Sequence, residues 1–279
     1  MLNILEGYDM SAHGFGSAAA MHVSIEAMRR AYEDRARHLG DSDFNPDIPL
    51  ARLTGKPYAE KLRDQIALDA ASTSATEGFT WPLESEETTH LSVVDKDRNA
   101  VSLTYTLEWG YGSGIVVPGG GFLLNNEMGD FNAAPGLTSR RGLIGTEPNL
   151  AQPGKRMLSS MSPTIVERDG ELLMVTGSPG GRTIINTVLQ TIVNVVDFGL
   201  NAQAAVDAGR YHHQWMPDQV YVERNGFSPD TLELLRARGH VVAERTAQGR
   251  AYVIVVNEEG ALEGGVDRRR PDAGAAVHD

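Results

Sequence analysis

The sequence predicts a layered α+β fold, and the order of its segments carries this prediction. β-rich runs come in neighbouring pairs joined by short polar turns, and helical runs stand in blocks before and after those pairs. This order differs from the strict strand–helix alternation of a doubly wound parallel sheet. With 279 residues, 41% of them hydrophobic, the chain is long enough for one large domain or two modest ones.

The first part of the chain is predicted to be helical. Ser17 is a suitable N-cap, and apolar residues at three- and four-residue spacing continue to Gly40, so a helix is expected over 17–39. A proline close to a first turn predicts a second helix over 57–71. Residues 72–87 are rich in Ser and Thr, become acidic and lack periodicity, so they are interpreted as an exposed linker.

Two β-hairpins are predicted in the central part. Their strands are expected at Thr88–Val94, Ala100–Leu107, Thr164–Glu167 and Leu172–Thr176. Residues 109–163, between the hairpins, contain glycine and asparagine pairs and are expected to be mostly loop.

The last part mixes helices and strands. A glycine-rich turn over Gly177–Gly181 precedes a periodic apolar run, which predicts a helix over 183–197. The remaining elements are expected as helices over 201–208 and 229–238 and as strands over 219–223, 240–244 and 251–256.

Composition excludes several classes of function. A net charge of −12 without a polybasic tract argues against a nucleic-acid binder. The absence of Cys excludes disulfides, thiolate metal sites and a Cys nucleophile. The sequence contains no run of about 18 apolar residues, so no membrane-spanning helix is predicted. His212 and His213 are adjacent, so their side chains point apart, and we expect neither a metal site nor a cofactor.

The glycine-rich turn has two interpretations. It lies between a strand and a helix N-terminus, where unpaired N–H groups and the helix dipole suit an anion. It matches neither a P-loop nor a Gly-x-Ser-x-Gly nucleophile elbow. A tight turn alone would explain the glycines, and the functional alternative is an oxyanion hole formed by the N–H groups of Gly180 and Gly181.

Thr88 is the strongest candidate for a nucleophile. A threonine at the start of a strand is ordinarily only a β-former. Here it follows an acidic segment that a cleavage reaction would have to reach. A Thr freed at an N-terminus has an α-amino group with a pKa of about 7.7–8.0, which can accept the proton of its own hydroxyl. The sequence therefore permits nucleophilic chemistry at Thr88.

Five runs in order resemble the γ-glutamyltransferases, also called γ-glutamyl transpeptidases or glutathione hydrolases. The runs are TTHLSVVDKDRNAVSLTYTLE from Thr88, GSGIVVPGGGFLLNNEMGDF from Gly112, PGKRMLSSMSPTIV from Pro153, VTGSPGGRTIINTVLQTIVNVVDFGL from Val175 and RYHHQWMPD from Arg210. Upstream, NILEGYDM, GFGSA and AYEDRARHLGD resemble the end of the family's large subunit. The resemblance implies the four-layer αββα sandwich of N-terminal nucleophile (Ntn) hydrolases. It also implies transfer of a γ-glutamyl group to water or to an amino acid or dipeptide through an acyl-threonine.

The resemblance assigns a role to each matching residue. It implies Thr88 as nucleophile, Glu87–Thr88 as the self-cleavage site, Thr106 as the residue that orients the nucleophile, Gly180 and Gly181 as the oxyanion hole, Ser159 and Ser160 as ligands of the donor α-carboxylate, and Glu127 and Asp130 as ligands of its α-ammonium. Glu108 is a further substrate-binding candidate, because with Glu127 and Asp130 it would make the ammonium end more negative. It departs from the family, since transpeptidases commonly have Asn there. It resembles the branch with glutaryl (cephalosporin) acylases, so a glutaryl donor is the alternative.

The resemblance also implies how the chain is organised. Residues 1–87 are expected to be the C-terminal part of the large-subunit region, and residues 88–279 the small catalytic subunit. The family's carboxylate-clamping arginine would precede Met1. The expected partners are therefore the N-terminal part of the large subunit, a small-molecule donor and an acceptor. A periplasmic or extracellular location is implied, with a cytoplasmic one as alternative. An inactive truncated fragment is the rival interpretation.

Overall fold

A computed structural model describes residues 1–74, 88–132, 134–136, 144–271 and 273–277. Its helices are α1 (Leu2–Leu5), α2 (Met10–His13), α3 (Ala18–His38), α4 (Leu50–Leu53), α5 (Lys56–Arg63), α6 (Thr183–Val196), α7 (Ala202–Asp207) and α8 (Pro229–Ala237). Its strands are β1 (Thr88–Val94), β2 (Ala100–Thr106), β3 (Thr164–Arg168), β4 (Glu171–Gly177), β5 (Tyr211–His212), β6 (Val220–Glu223), β7 (Val242–Arg245), β8 (Tyr252–Val256) and β9 (Leu262–Val266). The α+β class is confirmed. Among the helices in these ranges, none is long and apolar enough to cross a membrane.

The described chain forms two compact units. Unit 1 draws on Met1–Leu83, Glu127–Ser159 and Tyr211–Arg245. It contains helices α1–α5 and α8 and a sheet in the order β5-β6-β7, in which β6 and β7 run parallel. Its core joins α3 to β6 and α8 through Ala18, Met21, Ile25, Val220, Val222, Leu232 and Leu235.

Unit 2 draws on Glu84–Asn126, Ser160–Arg210 and Thr246–Asp279. Its antiparallel sheet has the order β3-β4-β8-β9, and α6 and α7 pack on one face of it. The core between them consists of Met174, Ile184, Val188, Ile192, Ala202, Val206, Ala251, Val253 and Val255. The β1–β2 hairpin contacts β3, β4 and β8 as a further layer. Unit 2 therefore consists of a helical layer, a four-stranded sheet and the two-stranded hairpin, packed on one another.

The β1–β2 hairpin has an unusual distribution of polarity. Its more buried row consists of eight side chains, of which six are polar: Thr88, His90, Ser92, Val94, Ala100, Ser102, Thr104 and Thr106. The opposite row contains the exposed apolar residues Leu91, Val93, Val101, Leu103 and Tyr105. Ser102 Oγ donates to the carbonyl of Thr176 at 2.9 Å and accepts the N–H of Thr164 at 3.0 Å. Most side chains that the hairpin turns toward the rest of unit 2 therefore carry a hydroxyl or an imidazole group.

The second helix is shorter than predicted, because α5 ends at Arg63 rather than at residue 71. Side chains of α3 donate hydrogen bonds to backbone carbonyl groups that would accept helical hydrogen bonds in a longer α5. Arg30 donates to the carbonyls of Leu62 at 3.1 Å and Gln65 at 3.0 Å, and His22 Nε2 donates to the carbonyl of Ala67 at 2.7 Å. These tertiary hydrogen bonds replace the helical ones.

Candidate active site

The candidate nucleophile stands at the open end of the β1–β2 hairpin. The antiparallel register pairs Thr88, the first residue of β1, with Thr106, the last residue of β2. The Thr88 hydroxyl donates to Thr106 Oγ1 at 3.3 Å. The same Thr106 oxygen accepts the N–H of Glu108 at 2.8 Å. The backbone after β2 thus holds the Thr106 hydroxyl, which is hydrogen-bonded to the Thr88 hydroxyl.

Glu108 is fixed by its backbone and by a neighbouring amide. Its φ of +72° lies in the left-handed region, which residues other than glycine seldom adopt. Asn126 Nδ2 donates to Glu108 Oε2 at 2.7 Å, and Asn126 Oδ1 accepts the N–H of Trp109 at 3.1 Å. The Asn126 side chain therefore holds both the carboxylate and the turn that bears it. Asn126 is not recognisable as a site residue from the sequence, because a loop pattern does not pair residues 18 positions apart.

The glycine-rich turn presents two adjacent amides at the start of α6. Gly180 has φ +132° and Gly181 φ +55°, both in the region that favours glycine. The Gly180 carbonyl accepts from the N–H and the hydroxyl of Thr183, at 3.1 and 2.6 Å. Among the described residues, none accepts a hydrogen bond from the amide of Gly180 or Gly181. Two such amides at a helix N-terminus can stabilise a developing negative oxygen.

The candidate ligands of the donor substrate lie partly in unit 1. Glu127 and Asp130 begin and end a 3₁₀ turn and are half-buried. Asn149 is 5% exposed and joins this turn to the segment that precedes Ser159. Its Nδ2 donates to the Asp130 carbonyl at 2.7 Å, and its Oδ1 accepts the N–H of Leu158 at 2.9 Å. Asn149 is not recognisable as a site residue from the sequence, because only the folded loop brings it to both partners.

The predicted site residues are divided between the two units. Thr88, Thr106, Glu108, Ser160, Gly180 and Gly181 belong to unit 2, whereas Glu127, Asp130 and Ser159 belong to unit 1. Ser159 is exposed and Ser160 is half-buried. Glu87 and most of the predicted linker lie outside the described residues. The roles of all these residues, and the division of the chain at Thr88, stay predictions.

The histidines of unit 1 have partners within the protein. His213 Nδ1 accepts the N–H of Trp215 at 3.1 Å, and its Nε2 lies 3.2 Å from Asp218 Oδ1. His212 Nε2 lies 2.5 Å from the amide oxygen of Gln214. The two rings therefore have separate partners, which is consistent with adjacent side chains that point apart.

A second group of residues has the spacing of a metal site. His22, Glu26 and His240 are buried, with candidate ligand atoms within 4.8 Å of one another. However, His22 Nδ1 and His240 Nε2 form a hydrogen bond of 2.8 Å. Burial would raise the pKa of Glu26, but the Arg29 charge and hydrogen bonds from Ser72 and Arg30 bring it to about 2. Two guanidinium groups beside Glu26 oppose a further cation, so the group is better explained as a buried ion-pair network.

Comparison with known proteins agrees with this fold. The family model described as Gamma-glutamyltranspeptidase matches residues 1–277. The glutathione hydrolase proenzyme of Escherichia coli strain K12 is 52% identical over 274 residues, 98% of this chain and 47% of that protein. The chain thus spans about half the length of the curated relatives it matches.

Solved structures give the same result. The γ-glutamyltranspeptidase from Pseudomonas nitroreducens complexed with L-DON is 46% identical, with a TM-score of 0.61 over 68% of this chain and 100% of that one. The cephalosporin acylase from Bacillus halodurans is 28% identical, with a TM-score of 0.81 over 100% of this chain and 48% of that one. These neighbours have the Ntn hydrolase fold. Because the family model matches nearly the whole chain and the fold is shared with solved members, the chain belongs to the γ-glutamyltranspeptidase family.

Proposed function

We propose that the chain carries the nucleophile of a self-cleaving γ-glutamyltransferase and glutathione hydrolase. The observation that carries the proposal is the Thr88–Thr106 hydroxyl pair at the open end of the first hairpin. Related proteins of this family are named glutathione hydrolase proenzymes. The proposed donors are glutathione and other γ-glutamyl amides, and the acceptors are water, amino acids and dipeptides.

The first step is the exposure of the base. Cleavage of the Glu87–Thr88 bond gives Thr88 a free α-amino group, whose ordinary pKa is about 7.7–8.0. In its neutral form this amine takes the hydroxyl proton while Thr88 Oγ1 attacks the γ-carbonyl carbon of the donor. The carbonyl oxygen becomes an oxyanion, which the amides of Gly180 and Gly181 stabilise.

The second step exchanges the amine of the donor for an acceptor. The tetrahedral intermediate collapses to an acyl-threonine ester, and the C–N bond breaks as the leaving amine takes the proton from the Thr88 ammonium. Water or the amine of an acceptor then attacks the ester, again losing a proton to the Thr88 amine. The Thr88 oxygen leaves as a hydroxyl, so the enzyme returns to its starting state.

Donor recognition follows from charge. Ser159 and Ser160 are proposed to hold the α-carboxylate with their hydroxyl and backbone groups. Glu108, Glu127 and Asp130 are proposed to hold the α-ammonium, since three carboxylates favour a cation at that end. The N-terminal part of the large subunit is the proposed protein partner, and the family's upstream arginine would add a bidentate carboxylate contact.

One assay tests the proposal. The full-length protein should release p-nitroaniline from γ-glutamyl-p-nitroanilide, and glycylglycine should accelerate the release if transpeptidation occurs. Gel electrophoresis should show a 192-residue band (residues 88–279) whose Edman sequence reads Thr-Thr-His-Leu. Thr88→Ala should stay uncut and inactive, whereas Thr88→Ser should be cut slowly. An active preparation with a single intact band would contradict the proposed nucleophile.

A glutaryl acylase is the second candidate function. Glu108 and the similarity to the Bacillus halodurans cephalosporin acylase favour it. Glutaryl-p-nitroanilide lacks the α-ammonium of γ-glutamyl-p-nitroanilide but has the same acyl chain length. A ratio of kcat/KM that favours the glutaryl donor would support the acylase.

The proposed compartment is the periplasm or the extracellular space, on the family resemblance. Cell fractionation with a cytosolic marker enzyme tests it, because the activity should separate from that marker.

A further inference from the structure

The imidazole of His90 lies directly against the backbone of Gly177. A Cβ placed on Gly177 would be 2.0 Å from His90 Cε1, 2.3 Å from Nδ1 and 2.6 Å from Nε2. Real Cβ atoms do not approach other atoms this closely, so no residue with a side chain fits at 177 while the ring stays in place. Glycine is therefore required at position 177 by the lack of space beside the ring, rather than by the backbone conformation.

Hydrogen bonds hold the ring in one orientation. His90 Nδ1 lies 2.8 Å from Thr104 Oγ1, and Nε2 lies 3.1 Å from Ser92 Oγ. Ser92 Oγ donates to the carbonyl of Tyr252 at 3.5 Å, so it accepts from His90 Nε2–H, and the Thr104 hydroxyl donates to Nδ1. This pattern is complete with a neutral ring. Burial lowers the pKa of His90 to about 4, which agrees with it.

His90 and Gly177 lie on the two strands that carry the proposed nucleophile and lead to the proposed oxyanion-hole amides. His90 is two residues after Thr88 and on the same face of β1, because side chains alternate along a strand. Gly177 is the last residue of β4, three positions before Gly180. The ring therefore separates the strand that carries the nucleophile from the strand that leads to the oxyanion-hole amides.

We propose that His90 is a positioning residue for acyl transfer: its ring, seated on Gly177, sets the separation between the Thr88 hydroxyl and the amides of Gly180 and Gly181. The inference rests on the proposed function. Its physical basis is that reacting groups held wrongly by about 1 Å lose roughly 100-fold in rate. A spacer of this kind acts on kcat, because it contributes no group to substrate binding.

A double-mutant cycle in the full-length protein tests this role. Gly177→Ala forces the ring away, so we expect kcat for γ-glutamyl-p-nitroanilide to fall about 100-fold. His90→Ala removes the spacer, and we expect kcat to fall about tenfold with KM changed less than about twofold. The double variant His90→Ala/Gly177→Ala has room for the new methyl group, so its kcat should exceed that of Gly177→Ala. Gly274→Ala is the matched control, because Gly274 is exposed with nothing within 4 Å of the added Cβ.

Two further measurements separate positioning from other roles. His90→Asn keeps a polar atom near the Nδ1 position, so its kcat should lie between those of wild type and His90→Ala. The pH profile of kcat should have the same acidic and basic limbs in His90→Asn as in the wild type, since a neutral spacer transfers no proton. Circular dichroism and the extent of self-cleavage report whether each variant is folded and processed.

The outcomes are distinct. Additive effects in the cycle, an unchanged kcat in His90→Ala, or the loss of one limb of the pH profile would each overturn the positioning role while leaving the proposed function standing. A full-length wild-type protein without γ-glutamyl turnover would overturn the proposed function, and this inference with it.

Discussion

At the residue scale, Asn149 shows how one side chain can hold two parts of a site together. Both ends of its amide are used, the nitrogen on the Asp130 carbonyl and the oxygen on the Leu158 N–H. An amide with two backbone partners in a buried position fixes the distance between them. Asn149 therefore links the segment with the candidate ammonium ligands to the segment that leads to Ser159.

Truncation of Asn149 should weaken donor binding. Asn149→Ala removes the hydrogen bonds to the Asp130 carbonyl and the Leu158 N–H, each contributing roughly 0.5–1.5 kcal/mol. We therefore expect KM for γ-glutamyl-p-nitroanilide to rise about tenfold with kcat nearly unchanged. Asn3→Ala is the control, because Asn3 also donates to a backbone carbonyl in unit 1, that of Thr54, at 2.8 Å. Equal KM values for the two variants would contradict the bridging role.

Neutralising Asp130 should change donor preference. Asp130→Asn removes a negative charge but keeps the shape of the side chain, so KM for γ-glutamyl-p-nitroanilide should rise about tenfold or more, since a charge-assisted hydrogen bond contributes roughly 1.5–3 kcal/mol. Glutaryl-p-nitroanilide has no ammonium, so its KM should not rise. Asp47→Asn, at an exposed position of unit 1, should affect neither donor. If Asp130→Asn leaves both donors unaffected, Asp130 does not bind the ammonium.

At the element scale, locally determined features were predictable and tertiary ones were not. Ser17 and Ser228 cap α3 and α8 with their own side chains, and this signal can be read within four residues. The early end of α5 depends on Arg30 and His22 of another helix, which no local pattern reveals. Strand β9 contains two glycines and depends on pairing with β8 for its existence.

The same distinction applies to the candidate site. The Thr88–Thr106 pair was predicted from the family resemblance, and the register of the hairpin places the two residues opposite each other. Asn149 and Asn126 were not predictable, because their partners come from irregular loops whose path only the fold defines.

The buried histidine pair should make the packing of α3 sensitive to acid. Burial lowers the pKa of His240 to about 3 and also lowers the pKa of His22. An unfolded histidine takes up a proton near pH 6.5, whereas these folded ones do so only at lower pH. The free energy of unfolding should therefore decrease as the pH falls below about 6.5, by up to about 1.4 kcal/mol per pH unit for each such histidine.

Urea titrations at several pH values between 7.5 and 5 measure this decrease. His240→Gln should flatten the pH dependence, because it removes one of the late-protonating groups. His38→Gln, at the half-exposed last residue of α3, should leave the slope as it is. A slope that is equally steep in both variants would show that the buried pair does not cause it.

At the scale of the whole molecule, unit 1 contains chain from both sides of the proposed cleavage site. Helix α3 precedes Thr88, whereas β6 and α8 follow it, and the three share one apolar core. Arg29 of α3 also pairs with Asp218, and His22 with His240. Self-cleavage would therefore leave two chains that share a core.

We expect the two products of cleavage to remain associated. In native buffer they should elute from a size-exclusion column as one species, because the shared core and buried ion pairs do not depend on the cut bond. In about 6 M urea, above the midpoint expected for most small domains, they should separate. Separation of the products in native buffer would show that the core does not hold them together.

The polar row on the inner face of the β1–β2 hairpin also bears on the dynamics of unit 2. Six of the eight side chains in this row carry a hydroxyl or an imidazole, so the row contributes less hydrophobic burial than β4 and β8, which face the apolar core on α6 and α7. Local opening should therefore cost less free energy for the hairpin than for the central sheet. Backbone amides of β1 and β2 should exchange with deuterium faster than those of β4 and β8. The candidate nucleophile would then lie on the more readily opened strand pair, whereas the glycine-rich turn follows one of the more protected strands.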